Sequence, residues 1–303
     1  MRSDYHDPVL FQESLEGLAI KPDGTYVDVT FGGGGHSRGI LNELENGRLI
    51  AFDQDPDAQA NALDDKRFDL VPQNFRFMKN YLQFMRALPV DGVLADLGVS
   101  SHQFNEASRG FTIREDGPLD MRMNPKSGKS AAQFVAEADV EELSKTFKLY
   151  GELKNGYRIA QDIVKARAND PLDTTQKLID ALRHLEPPRK QSQFRARVFQ
   201  ALRIAVNDEI STLEDWLKQL TDTVAVGGRV VVISYHSLED RLVKNFLRSG
   251  NLEGKQEKDF YGNLIRPFQP IQQKVIVPTA EEIERNPRAR SAKMRIAKRI
   301  NEQ

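Results

Sequence analysis

The chain has 303 residues and a formal net charge of −1, with 39% hydrophobic and 29% charged residues, which excludes an intrinsically disordered protein and fits one large domain or two modest ones. Cysteine is absent, so disulfide partners, cysteine-based metal sites and thiol nucleophiles are excluded, and we expect no metal site. No apolar run reaches the ~20 residues of a bilayer span and the first residues resemble no signal peptide, so we expect a cytoplasmic protein without membrane contact.

Short apolar segments alternate with helical patterns along the first hundred residues. The predicted strands are 25–31, 48–53, 75–78 and 92–96, and a later strand, 229–234, follows two glycines. A helix is predicted at 36–44, and another begins with Asp55 as N-cap and Pro56 at its first position. This alternation predicts an α/β fold with a parallel sheet covered by helices on both faces.

A long helical region separates the fourth predicted strand from the fifth. The predicted helices are 130–138, 140–150, 157–168, 174–185, 195–206 and 207–220. Since one crossover helix needs only about a dozen residues, we predict that 104–205 is an inserted helical domain. Residues 1–103 and 206–303 then form one discontinuous domain. A loop is predicted at 249–269 and a further strand at 271–277.

Four consecutive glycines, Gly32 to Gly35, lie between the first strand and the helix that follows it. Such a run lets the backbone approach a ligand closely, at the sheet edge where ligands of open α/β sheets bind. The phosphate-loop pattern fails because Ile40 stands where lysine is required, and the dinucleotide pattern fails because its third glycine is missing. The loop favours a cofactor without a pyrophosphate; a turn that binds no ligand is the alternative.

The ends of three other strands carry polar side chains. Asp53 ends the second strand, where an acid accepts hydrogen bonds from ribose hydroxyls; a surface or capping acid is the alternative. With the failed pyrophosphate pattern, Asp53 favours S-adenosylmethionine over NAD. Asp96 ends the fourth strand, and Tyr235 and His236 follow the fifth. These three are candidate catalytic residues, although a lone histidine is more often a core residue.

Two stretches, 183–203 and 285–299, are rich in arginine and lysine. On a nearly neutral chain, such stretches favour local contact with nucleic-acid phosphates, and a solvated helix face is the alternative. The candidate RNA-binding residues are Arg189, Lys190, Arg195, Arg197, Arg288 and Arg290.

Several long motifs, spread in order from His6 to Lys298, resemble those of one enzyme family. They include Thr30-Phe-Gly-Gly-Gly-Gly-His-Ser37, Asp96-Leu-Gly-Val-Ser-Ser101, Asp116-Gly-Pro-Leu-Asp-Met-Arg-Met123 and His236-Ser-Leu-Glu-Asp-Arg241. The chain is similar to the RsmH (MraW) family of methyltransferases, which act on the N4 amine of cytosine in 16S ribosomal RNA.

The resemblance implies a Rossmann-like S-adenosylmethionine-dependent methyltransferase sheet with an inserted all-helical domain that recognises RNA. It implies methyl transfer to a cytidine in the decoding region of 16S ribosomal RNA, with the RNA or the small ribosomal subunit as partner. The cofactor contacts that it implies are Gly34, Gly35, His36, Asp53, Phe75, Asp96 and Gln103. Three alternatives remain open: a methyltransferase with another acceptor, an NAD-dependent oxidoreductase and a non-catalytic ribosome-assembly factor.

One feature of many amino-methyltransferases is missing after the fourth strand, where Asp96 is followed by Leu-Gly-Val. The aromatic residue that stacks on the target base has to come from elsewhere. The candidates are Phe104, Phe111, Tyr235 and His236.

Overall fold

The computed structural model describes residues 8–300, so the opening residues, in which no signal peptide is predicted, lie outside it. The described chain forms two compact units. The first runs up to Gly98 and resumes at Ile210, and the second is Val99–Glu209. The predicted insertion, 104–205, lies within the second unit.

A mixed seven-stranded sheet forms the centre of the first unit within residues 8–300. The strands are β1 (Thr25–Asp28), β2 (Arg48–Phe52), β3 (Phe68–Val71), β4 (Val90–Asp96), β5 (Val224–Ser234), β6 (Glu257–Lys258), β7 (Leu264–Ile265), β8 (Phe268–Pro270) and β9 (Lys293–Arg299). In the sheet, the order is β3-β2-β1-β4-β5-β9-β8, and β6 pairs separately with β7. The first five strands thus have the order of a Rossmann-like sheet, as predicted.

The prediction of a parallel sheet is right for β1 to β5 and wrong for the last two strands. β9 pairs antiparallel with β5, and β8 pairs antiparallel with β9. These C-terminal strands cover the edge of β5, whose backbone groups would otherwise be exposed. Periodicity could not reveal this, because it does not encode strand direction.

The third strand lies earlier in the chain than predicted. Residues 75–78 form a 3₁₀ turn, Phe75–Phe77, and the start of a helix, whereas the strand is Phe68–Val71. This edge strand is only partly buried and contains Asp69, so its apolar signal is weaker than that of the aromatic segment after it.

The C-terminal segment also differs from prediction. Residues 271–277 contribute one isolated β-bridge, from Ile276 to Met294, rather than a strand. Conversely, the loop predicted at 249–269 contains β6, β7 and the first two residues of β8. These strands have two or three residues each, too few to show an alternating pattern.

Helices of the first unit pack on both faces of the sheet. They are α1 (Phe11–Leu18), α2 (Gly35–Glu43), α3 (Pro56–Gln59), α4 (Met78–Phe84), α11 (Glu209–Thr223), α12 (Ser237–Ser249) and α13 (Ala280–Arg285). Alternate residues of β5 point to opposite faces: Val230 and Val232 pack with α4, α11 and α12, whereas Val231 packs with α1 and α2. Both faces of the sheet are therefore buried. Polar side chains lie at the ends of the strands instead.

The second unit is built from helices around its own core. They are α5 (Ser101–Asn105), α6 (Ala131–Glu137), α7 (Val140–Leu149), α8 (Gly156–Arg167), α9 (Thr175–Leu182) and α10 (Gln191–Asn207). Ser130, Asp139 and Thr174 cap α6, α7 and α9 through their side chains. Among the described residues, no helix is long and apolar enough to cross a bilayer.

Candidate active site

The glycine loop joins β1 to α2 and has left-handed backbone at two glycines. Gly32 has a φ of +51° and Gly34 a φ of +75°, which residues with a Cβ adopt only with strain. A Cβ on Gly35 would lie 2.4 Å from Cγ of Pro8. The fold itself therefore requires glycine at some of these positions, whether or not a ligand binds there.

Asp28, which sequence reasoning did not single out, is buried beneath the loop. Its carboxylate accepts hydrogen bonds from the Ser37 hydroxyl at 2.7 Å and the Thr30 amide at 3.1 Å. Burial raises the pKa of Asp28. The Thr30 hydroxyl in turn accepts a 2.6 Å hydrogen bond from the backbone N–H of Asp96. These contacts join the ends of β1 and β4. The sequence signal that could have identified Asp28 is that it is an acid at the end of a buried strand.

Asp53 follows β2 and holds the glycine loop. Its Oδ2 accepts from the Gly32 N–H at 2.7 Å, and its Oδ1 accepts from the Asp55 N–H at 2.8 Å. A carboxylate has about four acceptor positions, so two remain for a ligand. Burial raises the pKa of Asp53 to about 6, which leaves it mostly ionised at neutral pH. Asp55 caps α3, as predicted.

The residue before Phe75 and the residue after Asp53 are joined by a hydrogen bond between the loops after β3 and β2. Nδ2 of Asn74 donates to Oε1 of Gln54 at 3.0 Å. The ring of Phe75 is half-buried and packs edge-on against Trp216, with ring centroids 5.8 Å apart. The loop that carries Phe75 is therefore held to the loop that follows Asp53, the acid that is predicted to bind ribose.

Asp96 is the point where three elements of the first unit meet. Its Oδ1 accepts a 2.8 Å hydrogen bond from the Tyr235 hydroxyl, and its Oδ2 lies 3.9 Å from Nδ1 of His36. Burial raises the pKa of Asp96 to about 7; the Tyr235 hydrogen bond opposes this, and the charge of Asp28 adds to it. The carboxyl group therefore titrates near neutral pH, where a proton acceptor is most effective.

His36 is buried and neutral. Burial lowers its pKa to about 4, and its Nε2 lies 3.1 Å from the carbonyl oxygen of Val9. That contact places the ring hydrogen on Nε2, so Nδ1 faces Asp96 as an acceptor. The pair is therefore not an ion pair at neutral pH.

His236 is placed as a helix cap. Its Nδ1 accepts from the Glu239 N–H at 3.4 Å, and the Glu239 carboxylate accepts from the His236 N–H at 3.3 Å, forming a capping box on α12. The ring is buried beside that carboxylate. Its neighbour Tyr235 points to Asp96, so the structure separates the roles of these two candidates.

The remaining candidates for cofactor contact and base stacking lie in the second unit. Gln103 is buried on α5 and its Oε1 accepts from the Ser100 N–H at 2.9 Å, as part of another capping box. Phe111 is buried in the helical core, which commits its ring to packing. Phe104 is 38% exposed.

A family model described as the MraW methylase family matches residues 3–300. The chain belongs to the MraW methylase family. It is 53% identical over 300 residues to a protein of Parabacteroides distasonis named ribosomal RNA small subunit methyltransferase H, covering 98% of each chain. The protein of the same name from Bacteroides thetaiotaomicron is 52% identical over 296 residues, covering 97% of each chain. The resemblance inferred from the motifs is confirmed.

Solved structures show weaker similarity to this MraW-family chain. An rRNA methylase from Streptococcus thermophilus aligns with a TM-score of 0.45 and 10% identity over 98% of this chain and 100% of that one.

The predicted RNA-binding residues of this family member differ in their surroundings. Arg195 forms a bidentate pair with the buried Glu186, with Nε–Oε1 and Nη2–Oε2 distances of 2.6 and 2.9 Å, so it has a structural partner. Lys190 and Arg197 instead line a surface groove, together with Lys154, which sequence reasoning missed. The other residues of the groove are Leu153, Asn155, Leu185, Pro187, Gln193 and Phe194.

No acid lines this groove, so its charge is entirely positive. Arg189 is exposed just before Lys190. In the first unit, Arg288 is half-buried and Arg290 exposed on the 3₁₀ turn Pro287–Ser291.

Proposed function

We propose that this protein transfers the methyl group of S-adenosyl-L-methionine to the N4 amine of a cytidine in 16S ribosomal RNA. The observation that carries the proposal is the placement of Asp96, a carboxyl group that titrates near neutral pH and is joined through Thr30 to the glycine loop. Family membership and the names of the two bacterial relatives support a small-subunit RNA substrate.

The residues at this sheet edge fit S-adenosyl-L-methionine. Asp53 is ionised and keeps two acceptor positions for ribose hydroxyls. Phe75 offers an apolar ring for the adenine, backed by Trp216. The glycine loop contains no lysine, which suits a cofactor without phosphates.

Bound S-adenosyl-L-methionine supplies an electrophilic methyl group, so the residues of the chain have to orient and deprotonate the amine. The exocyclic amine of cytosine is conjugated with the ring and is a poor nucleophile. Asp96, oriented by Tyr235, accepts one of its N–H groups and favours the pyramidal geometry that attack requires. Holding the amine in line is worth up to ~7–11 kcal/mol. With a pKa of about 7, Asp96 also takes up the proton that the amine releases.

The second unit is proposed to bind the RNA. Its groove, which no acid lines, would contact the phosphate backbone. Lys154, Lys190 and Arg197 supply three cations there. The target base has to leave its stack to enter a methyltransferase pocket, at a cost of a few kcal/mol. Contacts to backbone phosphates offset part of that cost without reading the base sequence.

The test is methyl transfer from labelled S-adenosyl-L-methionine to small ribosomal subunits and to naked 16S RNA, followed by mass spectrometry of the nucleosides. We expect N4-methylcytidine. A different methylated nucleoside would overturn the acceptor and keep the enzyme class. Cofactor binding without transfer to any RNA would favour another acceptor or an assembly factor, and absence of cofactor binding would exclude a methyltransferase.

A further inference from the structure

The hairpin formed by β6 and β7 carries two aromatic side chains on its tip. Phe260 is 98% exposed and Tyr261 is 86% exposed. Their rings pack edge to face, with centroids 5.7 Å apart. Single exposed hydrophobic residues are ordinary, but two large adjacent ones at a turn, where polar residues are usual, indicate a contact surface.

The turn that presents these rings is held by one acid. Oδ1 of Asp259 accepts from the backbone N–H groups of Tyr261 at 2.9 Å and Asn263 at 2.8 Å. Gly262, with a φ of +86°, lies in the five-residue loop, 259–263, that joins β6 to β7. The hydrogen bonds from Asn263 lower the pKa of Asp259, which favours the ionised carboxylate that accepts them.

Both ends of the hairpin are anchored on the first unit. On one side, Nδ2 of Asn245 in α12 donates to the Leu252 carbonyl at 2.8 Å. On the other side, Phe268 is fully buried and packs against Phe246 of α12, with ring centroids 6.0 Å apart. The tip is therefore presented by a supported arm, which lowers the entropy lost when it binds a partner.

The exposed face of α12, the helix on which the arm is anchored, is basic. Apart from Ser237, its exposed residues are Arg241, Lys244 and Arg248. They are spaced three and four residues apart, so they form one stripe in which like charges repel. The acids of α12 are engaged elsewhere: Glu239 is buried in the cap, and Asp240 pairs with Arg295. The charges relevant to binding are those of Lys244 and Arg248. A stripe of this kind favours a polyanionic partner.

We propose that Phe260, Tyr261 and the basic stripe of α12 form a second RNA-contact surface, in which the two rings stack on unpaired bases while Lys244 and Arg248 contact phosphates. Aromatic side chains with neighbouring cations are how proteins bind single-stranded nucleic acid without reading its sequence. The inference rests on the proposed function, because it concerns the same RNA substrate. It adds a contact outside the methyl-transfer site and outside the helical unit.

The experiment measures the affinity of the full chain for a naked 16S RNA transcript and for small ribosomal subunits at several salt concentrations. We expect the double variant Phe260→Ala/Tyr261→Ala to lose about tenfold or more in affinity for both, with an unchanged salt dependence. Lys244→Glu/Arg248→Glu should weaken binding and flatten the salt dependence. The matched controls are Phe84→Ala, which removes a ring that is 85% exposed on α4, and Lys66→Glu/Arg86→Glu, which reverses two exposed charges.

Cofactor affinity and the thermal midpoint, measured for every variant, separate a lost RNA contact from a damaged fold. Affinity of the aromatic double variant equal to that of Phe84→Ala would overturn the proposal. Weakened binding to intact subunits alone would also overturn it, since the rings would then contact a protein. Failure of the wild-type chain to bind either RNA target would instead refute the proposed function.

Discussion

The Tyr235 hydroxyl donates a 2.8 Å hydrogen bond to Oδ1 of Asp96. Asp96 ends β4 and Tyr235 follows β5, and these are neighbouring parallel strands in which Asp96 lies opposite Ile233. Burial raises the pKa of Asp96 to about 7, and the hydrogen bond from Tyr235 opposes that rise. Tyr235 therefore controls both the orientation of the carboxylate and the pH at which it ionises.

Tyr235→Phe should move the pH dependence of methyl transfer to higher pH. Removal of the hydroxyl removes an interaction that lowers the pKa of Asp96, so the ionised acceptor forms only at higher pH. Single-turnover rates with saturating cofactor and RNA, measured on both sides of pH about 7, report this midpoint. Tyr81→Phe, which alters a tyrosine packed against Phe52, is the control. An unchanged midpoint would exclude this role for Tyr235.

Asp96→Asn should stabilise the cofactor-free protein at alkaline pH. Since the folded-state pKa is raised from 3.8 to about 7, the contribution of Asp96 to stability is fully present below pH 3.8 and is lost as pH rises through about 7. An asparagine does not ionise, so we expect a gain on the order of 1–3 kcal/mol at about pH 8 and a smaller one at about pH 5. Thermal unfolding of both proteins at the two pH values measures this gain. An equal gain at both pH values would contradict the raised pKa of Asp96.

The same variant separates stability from catalysis. If Asp96 accepts the amine N–H and its proton, Asp96→Asn should bind cofactor and still lose about 10²-fold or more in transfer rate, the usual contribution of a general base. A wild-type rate would remove Asp96 from the chemistry and leave it a cofactor contact.

Asp53→Asn should lower the affinity for S-adenosyl-L-methionine by about tenfold or more. Hydrogen bonds to a charged acceptor are worth ~1.5–3 kcal/mol, and an amide has a single oxygen for the two backbone donors that Asp53 now satisfies. Isothermal titration calorimetry measures the change. Asp64→Asn, at an exposed acid of the same unit, should bind normally. Equal affinities of the two variants would show that Asp53 serves only to hold the loop.

Lys190→Glu/Arg197→Glu should weaken RNA binding and flatten its salt dependence. Each phosphate contact contributes ~0.7 to the slope of log affinity against log salt for a single strand, so two lost contacts lower the slope by about 1.4. Filter binding at increasing salt measures the slope, with Lys66→Glu/Arg86→Glu as the control. Arg195 is left intact because loss of its pair with Glu186 would bury an unpaired acid. An unchanged slope would assign the groove to the solvated surface.

The sequence by itself determined four of the five parallel strands and the edge at which the site forms. Apolar runs ending in Asp53 and Asp96, and capping residues such as Asp55, are local signals, and the ends of neighbouring parallel strands necessarily meet. The motifs identified the family for the same reason, because they preserve the strand ends and loops in order. The third strand was misplaced because β3 is partly buried and weakly apolar.

Only the tertiary structure decided which side chains meet. Tyr235 and Asp96 are 139 positions apart, and nothing in either local pattern directs the hydroxyl to the carboxylate. The capping role of His236, the pair of Arg195 with Glu186 and the exposure of Phe260 likewise depend on how separate elements pack. Local patterns specify backbone geometry, whereas side-chain partners and pKa values arise from burial and distance, which exist only in the folded chain.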